Sequence, residues 1–120
     1  MKVYALRTPI SASLENIAAD KSISHRCAIF SLLSDKPSRV KNYLKAEDTL
    51  NTLEIVRNLG ARIEEKDGEL IITPSANLKE PSVVLECGNS GTAMRIFMGF
   101  LAASEGFLVL SGDEFLNRRP

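Results

Sequence analysis

The sequence of 120 residues has no tryptophan, one histidine and two cysteines, and its basic and acidic side chains balance at 15 each. Zero net charge argues against a protein that holds nucleic acid by bulk electrostatics, because that mode of binding needs a large positive excess. The two cysteines have no CxxC or metal-ligand spacing, which favours reduced core thiols over a disulfide. With 44% hydrophobic residues, the composition is typical of a globular chain about the size of one domain.

Long apolar runs are also lacking. The longest, Ile96 to Ala103, is interrupted by Gly99 and is far shorter than the roughly 20 residues that span a bilayer. Met1 to Pro9 contains no apolar run of signal-peptide length. We therefore expect a cytoplasmic chain with no membrane partner.

Turn residues divide the chain into alternating strands and helices. The pattern predicts strands at 14–18 and 39–44, one helix from a Ser24 cap to about Leu33, and another capped by Asp48 and ended by Gly60. An Asp-Gly pair predicts a hairpin between strands at 61–65 and 69–73, which completes a βαβαββ order. The expected apolar stripes are Ile23, Cys27, Phe30 and Leu33 on the first helix, and Leu50, Leu53, Val56 and Leu59 on the second.

The same order of elements begins again after a polar segment at 74–79. Strands are predicted at 83–86 and 107–111, with a helix at 90–103 between them. The chain would then hold one complete βαβαββ unit, 14–75, and a truncated second unit, 76–120. Its fold class is α+β with an α/β-like order, and we expect it to be part of a larger protein.

Three polar segments each follow a predicted strand. The first is Asp20 to Arg26. A helix N-terminus presents free N–H groups that bind anions, and Lys21, Ser22 and Arg26 add donors suited to phosphate or carboxylate. An ordinary helix cap with solvated Lys21 and Arg26 is an equal alternative. His25 is better interpreted as a surface or packing residue than as a catalyst.

The second segment, Cys87 to Arg95, opens an almost wholly apolar helix. Gly88 and Gly91 permit close approach of a ligand to the backbone, and Arg95 is the only charge in that helix. The alternative is a capping turn whose glycines only ease packing. The third segment, Asp113 to Pro120, contains two adjacent arginines that would be surface residues if taken alone.

Together, Lys21–Arg26, Gly88–Arg95 and the closing Gly112-Asp113 and Arg119-Pro120 resemble, in order and spacing, the 5-enolpyruvylshikimate-3-phosphate synthase family. The related transferase that acts on UDP-N-acetylglucosamine has Lys-Asn where this chain has Lys-Ser. The resemblance implies an inverted α/β barrel-like fold built from repeated βαβαββ units, in a protein several-fold longer. It also implies that residues 1–13 contain a strand that belongs to the other domain.

The activity that the resemblance implies is transfer of the enolpyruvyl group of phosphoenolpyruvate to the 5-hydroxyl of shikimate 3-phosphate, with no metal and no organic cofactor. Lys21 would be the catalytic cation and would contact both substrates, Ser22 and Arg26 would bind shikimate 3-phosphate, and Gly91 and Arg119 would bind phosphoenolpyruvate. The residues that would line the same pocket are Asn89, Ser90, Thr92 and Arg95. Because like charges repel, the empty cleft is expected to be open and hydrated.

The implied partners are these two anionic substrates and the remainder of the chain, and further catalytic residues would lie beyond Pro120. We therefore expect the chain alone to be inactive. Asp20 stands where many members of the family have serine, so an acid could partly neutralise Lys21. Ile96 stands where some members have proline, which leaves inhibitor sensitivity open.

The alternative from a different class is a non-catalytic anion-binding or self-associating module, because free strand edges favour self-association. A nucleic-acid partner is less favoured, since aromatic residues are not interleaved with the basic residues between Lys21 and Lys45.

Overall fold

The computed structural model describes residues 2, 4, 5 and 8–120. Helices and strands alternate along this part of the chain, as the sequence pattern indicates. The helices are α1 (Lys21–Phe30, continued by a 3₁₀ turn at Ser31–Leu33), α2 (Glu47–Asn58) and α3 (Gly91–Leu101), and the strands are β1 (Ser38–Lys41), β2 (Arg62–Lys66), β3 (Glu69–Thr73), β4 (Leu85–Glu86) and β5 (Leu110–Ser111).

Two small sheets lie on the helices. In the first, β3 is central and pairs antiparallel with both β1 and β2, so that Ile72 lies opposite Ser38 on one side and Ile63 on the other. In the second, β4 and β5 run parallel, with Leu85 opposite Leu110. Since parallel strands need a crossover connection, α3 lies between β4 and β5 in the chain.

The core lies between the three helices and the two sheets. It combines buried residues from every layer, and its largest fully buried side chain is Phe97 of α3. The fold class expected from the sequence, mixed α and β, is confirmed. The buried apolar residues of the elements themselves are Ala28, Ile29, Leu53, Ile55, Val56, Leu70, Ile72, Leu85, Ala93, Phe97 and Leu101.

Several local signals are confirmed. Asp67 and Gly68 have φ of 52° and 75°, the two left-handed residues that a tight hairpin requires. Gly60 ends α2 with φ 105°, and the Ala61 N–H bonds the Val56 carbonyl at 3.2 Å behind it. Ser90 caps α3, because its Oγ accepts from the Ala93 N–H at 3.1 Å.

The predicted starts of the first two helices are wrong. α1 begins at Lys21 because Asp20 Oδ1 accepts from the Ile23 N–H at 2.7 Å, so Asp20 is the cap and Ser24 lies inside the helix. α2 begins at Glu47 after Ala46, and Asp48 belongs to its first turn instead of capping it.

The predicted stripe on α1 is also wrong. Ile23, Phe30 and Leu33 are 62%, 51% and 69% exposed, whereas Ser24, His25, Ala28 and Ile29 form the buried face. On α2, Leu50 is 46% exposed while Leu53, Val56 and Leu59 are buried as expected. The inward face of α1 thus combines the apolar Ala28 and Ile29 with a buried polar network around His25, described below.

The predicted strand at 14–18 does not form. Asn16 has φ 56°, which interrupts extended backbone, and Asn42 Nδ2 donates to the Ile17 carbonyl at 3.0 Å. The predicted strands at 83–86 and 107–111 shrink to Leu85–Glu86 and Leu110–Ser111. The strand expected within residues 1–13 falls partly outside the described residues and stays a prediction, as does the division into units at 75/76.

Two further findings concern the thiols and the membrane. Cys27 and Cys87 are both free, and Cys87 is buried. Across the described part of the chain, the structure has no helix with the length and apolar character needed to cross a bilayer.

Candidate active site

Lys21 is the first residue of α1 and extends towards the N-terminal end of α2. Its Nζ donates to Asp48 Oδ2, joining the first turns of the two helices. The Lys21 side chain is half exposed, whereas that of Asp48 is only 15% exposed. The acid that neutralises Lys21 is therefore Asp48 from a distant part of the sequence, while the neighbouring Asp20 is occupied in capping α1.

The loop before α3 lies against the same end of α2. A Cβ added at Gly88, which has φ 57°, would stand 2.6 Å from Asn51 Nδ2 and 3.4 Å from Asp48 Oδ1. The loop is tied to β5 and the segment after it, since the Cys87 N–H bonds the Ser111 carbonyl at 2.7 Å. Asp48 thus has Lys21 on one side and the Gly88 loop on the other.

Arg119 is held over this loop by a polar bridge. Its Nη2 donates to Asn89 Oδ1 at 2.5 Å, and Asn89 Nδ2 donates to Asp113 Oδ2 at 2.6 Å. The hydrogen bond from Asn89, followed by that from the Leu116 backbone N–H, lowers the pKa of the Asp113 carboxyl. Asp113 is thereby kept as a carboxylate, and it fixes the Asn89 amide with its oxygen towards Arg119.

A second arginine approaches from α3 itself. Arg95 Nη2 donates to the main-chain oxygen of Pro120 at 2.9 Å, and its Nη1 lies 3.4 Å from the Gly91 carbonyl. A Cβ at Gly91 would stand 2.6 Å from Arg95 Nη1 and 3.7 Å from Arg119 Nη1. Two guanidinium groups therefore flank Gly91, and the missing side chain leaves the room that they occupy.

A buried polar network lies behind this surface. His25 Nδ1 is 2.7 Å from Thr52 Oγ1 of α2, and His25 Nε2 is 3.1 Å from Ser90 Oγ, the cap of α3. Burial is the main cause of the lowered pKa of His25, and the positive charge of Lys21 adds to it, so the ring is neutral. Of the two interpretations from the sequence, the packing one is right and the surface one is wrong.

The structure brings most of the predicted site residues together. Asn89, Gly91, Arg95 and Arg119 lie together at the start of α3, behind the cap Ser90. Lys21 lies at the start of α1 and is linked to the same loop through Asp48, which lies against Gly88. Ser22 and Thr92 are both half-buried in the first turns of α1 and α3. Arg26 is exposed, and its Nη1 donates to the Ser22 carbonyl at 3.1 Å.

The sequence analysis missed the roles of Asp48 and His25. Asp48 was interpreted as a helix cap. The contact of His25 with Ser90 carries no local signal, because the two residues lie 65 positions apart. As for metals, the part of the chain that the structure describes has no group of three or more histidine, cysteine or acidic side chains placed to hold an ion.

Basic side chains around a glycine loop at a helix N-terminus, in a mixed α/β fold, are an arrangement suited to anionic groups. The family model of EPSP synthase (3-phosphoshikimate 1-carboxyvinyltransferase) matches residues 5–120, and the chain belongs to this family. Over 120 residues it is 72% identical to 3-phosphoshikimate 1-carboxyvinyltransferase of Campylobacter curvus and 66% identical to that of Campylobacter concisus. The match covers the whole of this chain but only 28% of the length of each relative.

A solved structure, EPSP synthase from Acinetobacter baumannii, superimposes with a TM-score of 0.79 at 39% identity. It covers 87% of this chain, which in turn covers 24% of that protein. The resemblance stated from the three sequence segments is therefore confirmed, and the relatives are transferases.

Proposed function

We propose that this chain supplies one part of the active site of an enzyme that transfers the enolpyruvyl group of phosphoenolpyruvate to the 5-hydroxyl of shikimate 3-phosphate. The observation that carries the proposal is that Arg95 and Arg119 flank Gly91 at the start of α3, while Lys21 at the start of α1 pairs with Asp48, which lies against Gly88 of the same loop. Both substrates carry phosphate and carboxylate groups, which such a cluster would attract.

Phosphoenolpyruvate is assigned to the Gly91 end of the site. The first N–H groups of α3 have no acceptor within the helix, and the dipole of the helix favours an anion there. Arg119 donates to the Asn89 side chain, and Arg95 donates to the Pro120 oxygen. These hydrogen bonds orient both guanidinium groups before a ligand arrives. Asn89, Ser90 and Thr92 shape this end by their position in the loop and the first turn.

Shikimate 3-phosphate is assigned to the outer side of α1. Ser22 and Arg26 are one turn apart, and the Arg26 guanidinium lies along that turn. A hydroxyl and a guanidinium at this spacing suit a ligand that carries both hydroxyl and phosphate groups.

Lys21 lies between these two ends and is assigned to the reacting groups. A cation there would stabilise negative charge that develops on the 5-hydroxyl or on the enolpyruvyl group, or would move a proton between them. Asp48 fixes the ammonium group in place, because a flexible lysine side chain would otherwise lose its orientation.

The proposal is tested in a chimaera in which the matching segment of the Campylobacter curvus relative is replaced by this chain. We expect enolpyruvyl transfer by the chimaera and none by the 120-residue chain alone. Lys21→Ala should abolish the transfer, since it removes the assigned cation. Lys45→Ala is the matched control, because Lys45 is also an exposed lysine paired with an acid of another element, Glu65 at 2.7 Å, but lies outside the site. A folded chimaera without activity, or full activity in Lys21→Ala, would refute the proposal.

The second candidate, a self-associating anion-binding module, is favoured by one observation. Ile23, Phe30 and Leu33 expose a row of large apolar side chains along α1. Apolar rows of this kind form contacts between chains when nothing else covers them. Sedimentation of the isolated chain distinguishes the candidates: oligomers together with an inactive chimaera would favour the module.

A further inference from the structure

A continuous hydrogen-bond chain joins the three helices beneath the candidate site. It runs from α3 through the cap of that helix to α1, and from α1 to the first turn of α2. Its members in order are the Ala93 N–H, Ser90 Oγ, His25 Nε2, His25 Nδ1, Thr52 Oγ1 and the Asp48 carbonyl, with separations of 3.1, 3.1, 2.7 and 3.2 Å between successive residues.

The proton positions along this chain follow from its two ends. The Ala93 N–H only donates, so Ser90 Oγ accepts from it, and the Ser90 hydroxyl proton has His25 Nε2 within reach as its acceptor. The Asp48 carbonyl only accepts, so Thr52 Oγ1 donates to it and receives the proton on His25 Nδ1. Only a neutral ring protonated at Nδ1 satisfies every donor and acceptor.

This arrangement is enclosed. His25 and Thr52 are 0% exposed and Ser90 is 2% exposed, so water cannot replace a lost bond. His25 lies one turn after Lys21 on the same helix, and Ser90 immediately precedes Gly91. The imidazole therefore sets the distance between the assigned catalytic cation and the glycine loop.

We propose that His25 is a positioning residue, whose ring fixes the N-terminus of α3 relative to α1 and α2 so that Lys21 and the Gly91 loop can share one ligand. The inference rests on the proposed function, because the ligand in question is phosphoenolpyruvate. His25 itself touches no substrate. Its effect passes through Ser90 on one side and through Thr52 and Asp48 on the other.

The geometry is tested first without any activity measurement. The chain has a single histidine, so its imidazole nitrogens are identified without ambiguity by ¹⁵N NMR. We expect the neutral form protonated at Nδ1, and we expect Ser90→Ala to shift both the Nε2 resonance and the Gly91 amide. A ring protonated at Nε2, or resonances unmoved by Ser90→Ala, would overturn the inference whatever the reaction is.

The consequence is tested by kinetics of the chimaera. His25→Leu removes both ring bonds at similar volume and should raise KM for phosphoenolpyruvate about tenfold, the equivalent of one hydrogen bond of about 1.4 kcal/mol. KM for shikimate 3-phosphate should change by no more than about twofold, since Ser22 and Arg26 do not depend on Ser90. In His25→Gln the side-chain amide reaches the position of the His25 Nε2 atom. KM for phosphoenolpyruvate should therefore return most of the way to the native value.

The control variant is Ile29→Val, one turn further along the same buried face and apolar. It should lower the melting temperature while leaving both KM values unchanged. If His25→Leu behaves like Ile29→Val, with a lower melting temperature and an unchanged KM, the role is only structural and the inference is wrong. A chimaera that is inactive with native His25 would instead contradict the proposed function, and the NMR result would still decide the geometry.

Discussion

Replacing Gly88 with alanine should destabilise the fold where the loop before α3 meets α2. Gly88 has φ 57°, a conformation that costs an L-residue about 1–2 kcal/mol. The added Cβ would also stand 2.6 Å from Asn51 Nδ2. The amide must therefore leave its rotamer, at a cost of about 0.5–1.5 kcal/mol. The free energy of unfolding should fall by about 1.5–3.5 kcal/mol in total.

Gly68→Ala is the matched control. Gly68 also has a positive φ, 75°, but a Cβ there would meet nothing within 4 Å, so only the backbone cost of about 1–2 kcal/mol applies. In an Asn51→Ala background the obstructing amide is absent. The further loss of free energy of unfolding caused by Gly88→Ala should then equal that caused by Gly68→Ala.

Urea denaturation followed by circular dichroism gives the free energies for the four variants and the native chain. The reasoning is refuted if Gly88→Ala costs no more than Gly68→Ala, because the contact with Asn51 would then have no energetic effect. It is also refuted if the cost of Gly88→Ala is the same with and without the Asn51 side chain.

The remaining predictions concern a bridge, a titration and two thiols. In the chimaera, Asn89→Ala should raise KM for phosphoenolpyruvate about tenfold, because Arg119 loses the amide that orients it, and an unchanged KM would contradict this role. The pKa of His25 is lowered in the folded chain, mainly by burial, so its contribution to stability is complete above pH 6.5 and declines as the pH falls from there towards the lower folded pKa. In urea titrations across this range His25→Gln should show a flatter dependence, and an equally steep one would count against a buried neutral ring. Iodoacetamide should modify Cys27 and spare Cys87, because Cys87 is buried and burial raises the pKa of its thiol to about 11; equal labelling rates by mass spectrometry would disprove that burial.

The parts of the fold that sequence reasoning predicted are those specified by neighbouring residues. The hairpin at Gly68 and the end of α2 at Gly60 each depend on a conformation or hydrogen bond within one turn of the chain. The start of α1 was predicted wrongly because Asp20, one turn before Ser24, is also an acceptable cap; Asp20 accepts the capping bond from the Ile23 N–H, and Ser24 lies buried inside the helix. The strand at 14–18 failed because its pattern says nothing about the turn at Asn16.

The candidate site shows the same division. Lys21 and Arg119 could be named from motifs because their residue types fit an anion. The acceptors that hold them could not, because Asp48 is 27 residues from Lys21 and Asn89 is 30 residues from Arg119. A motif specifies which charge is present, whereas the contact that orients the charge depends on how the helices pack.

These acceptors also change the electrostatic expectation for the site without ligand. Repulsion among the clustered cations was expected to open the cleft, yet each cation described above already has a partner: Asp48 for Lys21, Asn89 for Arg119, and the Pro120 oxygen for Arg95. An arriving anion must compete with these partners. The competition is weaker at Arg119, whose partner is a neutral amide oxygen, than at Lys21, whose partner is a carboxylate. It follows that a phosphate or carboxylate should bind at Arg119 first, while Asp48 keeps the Lys21 ammonium in place for the reacting group.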